Sequence, residues 1–158
     1  MPNLHPLVVH FPIALFVTAV ICELLAYFRK SSLLSTTALL TACIAAVGTI
    51  LAVTTGLLAR SIVPVSGEVQ LALESHETLG YLVLAASLTF TALKVASYLL
   101  RTDRLLTAIF AVGFAGVIIT FMAAYEGGEL VYKHGVGLSV YGNDQQVVVD
   151  TLPTMHQR

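Results

Sequence analysis

The sequence predicts an all-α membrane protein, an antiparallel bundle of four transmembrane helices in up-down-up-down order. Of the 158 residues, 57% are hydrophobic and 11% charged, against about 45–50% and about 25% in soluble domains. Mean hydropathy is +0.88, and so few charges could not cover a core of this size in water. Four separate stretches also reach the roughly 20 apolar residues that a helix needs to cross the hydrocarbon layer.

The first stretch runs from about His10 to Phe28 and the second from about Leu33 to Leu58. The third runs from about Leu79 to Leu100 and the fourth from about Leu105 to Tyr125. Each is apolar on every side, the pattern of a long helix surrounded by lipid or deeply buried. Arg29-Lys30-Ser31-Ser32 joins the first two, and Arg101-Thr102-Asp103-Arg104 joins the last two. Links this short make antiparallel neighbours. The middle link is longer and holds Pro64 and Gly67. It continues as a mixed stretch, Glu68 to Thr78, expected as a helical lead-in to the third span. Residues 1–134 form the transmembrane domain, and residues 135–158 form a polar tail in which Gln146–Val149 reads as a short strand. Gly48, Ala52 and Gly56 recur every fourth position, and Gly113 with Gly116 indents the fourth span. Such spacing lets backbones pack closely in lipid; the sharper reading is a gap for a flat cofactor.

Lys and Arg set the expected orientation. Arg29, Lys30, Lys94, Arg101 and Arg104 lie at the end carrying the short links, against Arg60, Lys133 and Arg158 at the other. The positive-inside rule then makes the short links cytoplasmic. Both termini and the middle link face the periplasm of a multi-pass inner-membrane protein. Nothing basic precedes the first apolar run, so no cleavable signal is expected and the first helix stays. Net charge is −1, which argues against a nucleic-acid partner. Cys22 and Cys43 sit in apolar segments with no CxxC, where a thiol behaves as a small hydrophobe. GxSxG, HExxH and phosphate-binding glycine loops are absent, so an electron carrier is a better expectation than a self-contained catalyst.

The histidines are one-sided. His5 and His10 open the first helix, His76 precedes the third span and His134 follows the fourth. With the topology above, all four fall at the periplasmic ends, as does His156 on the tail. Ionisable groups at membrane depth usually face the bundle interior or a wet cavity, and histidine is the commonest metal ligand. Read blandly, they are polar boundary residues; as a group, His5, His10, His76 and His134 are expected as ligands. His5 and His10 point about 140° apart on one continuous helix, which favours separate partners. Pro12 can bend the helix start and would aim His10 inward. Glu74 and Glu77 flank His76, and Glu126 and Glu129 precede His134. They are either solvated boundary charges or acceptors for the second ring N–H. Arg60 and Lys133 could pair with anionic groups such as haem propionates. Glu23 has no evident partner.

The segments HPLVVHFPIAL, SHETLGY and GGELVYKHGVGL, in this order, resemble the bacterial membrane family catalogued as domain of unknown function 2231, from His5 to about Leu138. The resemblance supplies no activity, but it implies four helices and an electron-transfer setting beside cytochrome c or Rieske-type iron–sulfur modules. The matching motif positions are His5, His10, His76 and His134.

The expected function is a b-type haem protein, an electron carrier or the membrane anchor subunit of a redox complex, with one or two haems. Haem iron takes axial histidines, and His10 and His76 would face one another across the core. His5 and His134 could ligate a second haem or support the first. No CxxCH occurs, which excludes covalent c-type attachment. One alternative is a periplasm-facing site for copper, zinc or non-haem iron, in binding or transport; another is a cofactor-free structural subunit. Expected partners are the lipid bilayer and redox proteins such as cytochrome c or an iron–sulfur subunit. A homo-oligomer is left open.

Overall fold

The computed structural model describes residues 4–61 and 67–136. They form α1 (His5–Arg29), α2 (Ser32–Arg60), α3 (Glu68–Leu100) and α4 (Leu106–Tyr132). All four are long and apolar enough to cross a membrane, and no strand occurs among the described residues. The suggested strand at 146–149 lies outside them. Each helix runs past its apolar stretch. α3 takes in the lead-in from Glu68, α4 continues to Tyr132, and α1 begins at His5 with Pro6 in its first turn. Proline is pre-set for that position because its missing N–H has no helical partner there.

The stops are local. Lys30 and Arg101 adopt left-handed conformations (φ 48° and 49°) that end α1 and α3. Ser31 caps α2 by accepting from the Leu34 N–H at 3.4 Å. The chain then packs α1 on α2, α2 on α3, α3 on α4 and α4 on α1, so α1 and α3 stand on a diagonal.

One stripe per helix faces the bundle axis. On α1 it is Pro12, Phe16, Ala19, Glu23 and Ala26. On α2 it is Ala38, Ala42, Ala45, Thr49 and Ala52, and on α4 Ile109, Gly113, Gly116, Thr120, Ala123 and Leu130. Steps of three and four residues keep each stripe on one face. The opposite faces expose Leu7, Phe11, Ile44, Val47, Ile118 and Phe121, an apolar mantle too extensive for water and suited to acyl chains.

The small-residue notches are filled by side chains. A Cβ on Gly48 would stand 3.1 Å from the Pro12 ring, and one on Gly116 would stand 2.8 Å from the Phe16 ring. Gly113 faces Phe90 and Val20 at 3.1 and 3.2 Å. Phe16 and Phe90 meet edge-to-face, centroids 5.6 Å apart, at the centre of the bundle. Close packing explains these notches, and none of the three leaves room for a flat cofactor.

Candidate functional site

α1 and α3 meet across the diagonal in three layers: His5 with His76, Phe16 with Phe90, and Glu23 with Lys94. The histidine pair and the Glu23–Lys94 pair are eighteen residues apart on both helices, about 27 Å at 1.5 Å per residue. That length is close to the roughly 30 Å of hydrocarbon in a bilayer. The two polar pairs therefore bracket the apolar layer.

At the histidine end the ring centroids of His5 and His76 are 6.3 Å apart with planes crossed at 78°. His5 Nδ1 lies 2.9 Å from the Ala52 carbonyl and 3.4 Å from Thr55 Oγ1, both on α2. A carbonyl can only accept, so Nδ1 carries the proton and Nε2 the lone pair. Gly56, one turn beyond Ala52, makes the room: a Cβ there would stand 3.0 Å from His5 Cε1. Gly127 does the same for His76 from α4, again at 3.0 Å from Cε1. The Ala123 carbonyl and the Glu126 carboxylate also act on His76 from α4, yet its buried Nδ1 has no hydrogen bond of ordinary geometry. Glu126 accepts from Ser75 Oγ at 3.0 Å through Oε1, while its buried Oε2 has no hydrogen-bond partner either.

The other expected ligands stand apart from this pair. His10 is exposed on the outside of α1, its Nδ1 2.6 Å from its own Pro6 carbonyl. Pro12 does not turn it inward. The Pro12 ring itself packs into Gly48, which aims that face of α1 at α2. His5, seven residues earlier, shares the face; His10, two residues earlier, is about 200° round. The imidazole opposite His76 is therefore His5, not His10. His134 is half-buried just past α4. Arg60 is ion-paired with Glu77 and lies 3.8 Å from Glu74, and Lys133 lies 3.7 Å from Glu129. Glu74, Glu77 and Glu129 thus serve these cations, and Tyr81 donates to Glu77 at 3.2 Å. Among the carboxylates flanking the histidines, Glu126 is the one acting on His76. No group of three or more His, Cys, Asp or Glu side chains able to hold a metal ion forms among the described residues.

Several participants were not visible in sequence. A backbone carbonyl has no residue signature, so Ala52 and Ala123 could not be named. Gly127 could have been: it continues the α4 stripe between Ala123 and Leu130, where a missing side chain implies a neighbour needing space. Glu23, left without a partner, receives Lys94 Nζ at 2.5 Å, and Lys94 also donates to Ser35 Oγ at 3.0 Å. Lys94, counted in sequence among the cations at the short-link end, is thus buried and paired with Glu23.

The family model described as a predicted membrane protein, DUF2231, matches residues 1–140 of the chain. No curated protein and no solved structure matches it.

Proposed function

We propose that this chain, which belongs to the DUF2231 family, is a b-type haem protein of the membrane that transfers electrons, with His5 and His76 as the axial ligands. The observation that supports this reading is the His5–His76 pair itself, two imidazoles from different helices with ring centroids 6.3 Å apart. Two imidazoles that each give one nitrogen to a single metal at about 2 Å place their ring centroids about 6 Å apart. Each ring can turn about its own metal–nitrogen axis, so crossed planes are compatible with this ligation. A macrocycle would supply the remaining positions around two protein donors, whereas a structural zinc ion takes four protein ligands.

The chain's own residues have definite tasks in this reading. The Ala52 carbonyl accepts from His5 Nδ1 and so fixes the tautomer and the orientation of the ring. Glu126 places a carboxylate beside His76, and Gly56 and Gly127 give the two rings their positions. When bound, haem supplies a reversible one-electron centre whose potential follows ligands, burial and nearby charge. Redox partners such as a cytochrome c or an iron–sulfur subunit would dock at the end carrying His5 and His76. The positive-inside rule puts that end in the periplasm and the short links, with Arg29, Lys30, Arg101 and Arg104, in the cytoplasm.

The test is the absorption spectrum of protein purified after expression with ample haem precursor. The expected result is a six-coordinate b-type spectrum that His5→Ala or His76→Ala destroys and His10→Ala preserves. Protein without a Soret band would end the proposal. Stoichiometric copper or zinc in place of porphyrin would reassign the pair to a non-haem metal.

A further inference from the structure

The opposite end of the bundle holds a second, chemically different feature. A cavity of about 470 Å³ opens where α3 turns toward α4, and Lys94, Arg101, Asp103, Ser35, Tyr98 and Leu99 are among its lining. Lys94 is only 4% exposed, so the cavity reaches a buried ammonium. That ammonium has three N–H bonds; Glu23 and Ser35 take two of them, which leaves the third for an acceptor in the cavity. Arg101 adds a second cation, and Asp103 stands with them as a carboxylate. Glu23 pairs with Lys94, and the lining itself carries two cations and one carboxylate. A ligand that fits must bring its own balance, with an anionic part for the two cations and a cationic N–H part for the carboxylate.

The position narrows the choice. The cavity lies at helix ends, about 27 Å of helix from the histidine pair, at the depth of lipid headgroups. Its rim is apolar toward the bilayer: Leu99 and Tyr98 are 70% and 64% exposed, as residues beside acyl chains and at the headgroup boundary are. We propose that this cavity holds the zwitterionic phosphoethanolamine headgroup of a phospholipid, its phosphate on Lys94 and Arg101 and its ammonium on Asp103. A choline headgroup has no N–H to offer Asp103, and a glycerol headgroup has no cation.

The test is native mass spectrometry of the full chain released from nanodiscs of phosphatidylethanolamine, phosphatidylcholine or phosphatidylglycerol. The expected result is one phosphatidylethanolamine retained about tenfold or more over the other two, the scale of one hydrogen bond to a charged group. Asp103→Asn should erase the preference over phosphatidylcholine. Arg101→Asn should lower retention of every lipid, and Asn tolerates the left-handed backbone there. Equal retention of the three lipids, or retention unchanged in both variants, overturns the proposal. Binding of inorganic phosphate alone, with no lipid retained, also overturns it and assigns the cavity to a soluble anion.

Discussion

The two ends of the bundle each bring a polar pair together between the same two helices, eighteen residues apart on both, and treat them oppositely. At the short-link end Lys94 meets Glu23 and Ser35, so the cation and its counter-ion are matched inside the protein. At the histidine end His5 and His76 stand with their ring planes crossed at 78°, and His76 Nδ1 and Glu126 Oε2 are buried without a hydrogen bond of ordinary geometry. A buried polar atom left unmatched costs about 1–3 kcal/mol, a cost with a purpose if a ligand satisfies it. The difference separates a cation that the protein supplies with its own counter-ion from an imidazole pair that has none between its two members. Glu23 and Lys94 are fully buried and the two histidines half-buried, so the pair more open to a ligand is also the one with no counter-charge within the pair.

The largest expected effect breaks the Glu23–Lys94 pair. Glu23→Ala or Lys94→Ala should each destabilise the protein by about 3–5 kcal/mol, because one charge is left buried alone. The double variant Glu23→Leu/Lys94→Met should recover most of that loss. Denaturant titration in detergent reads both, and a double variant no better than the singles would show that the pair is not structurally coupled.

Next comes the packing between the ends. Gly116→Ala places a Cβ 2.8 Å from the Phe16 ring and 3.0 Å from the Ala86 methyl, and overpacking of this kind costs about 1–3 kcal/mol. Gly80 has nothing within 4 Å, so Gly80→Ala should raise stability by up to about 1 kcal/mol. If the two variants melt alike, the central layer is looser than the distances imply.

The smallest effect on stability falls at the histidine pair, where the readout is binding. Gly56→Ala and Gly127→Ala each press a methyl to 3.0 Å from an imidazole Cε1. Both should perturb the haem spectrum while shifting unfolding by less than about 1.5 kcal/mol. His10→Ala should change neither measurement, since its ring bonds only its own helix. A spectral loss in His10→Ala would move the site off the bundle axis.

Much of this was legible in one dimension. Apolar length and link length determine four spans in alternating directions, because the bilayer demands internally hydrogen-bonded helices and a four-residue link cannot do otherwise than reverse the chain. One-sided histidines marked the end of the bundle worth inspecting, and the HPLVVHFPIAL, SHETLGY and GGELVYKHGVGL segments marked the family. What only the tertiary structure decided is which side chains face inward. Each span is apolar all round, so hydropathy carries no angular information. The rotation of α1 is set by Pro12 seated in Gly48 and Phe16 in Gly116, contacts between residues far apart in sequence. That rotation puts His5 rather than His10 opposite His76, and it delivers Glu23 to Lys94.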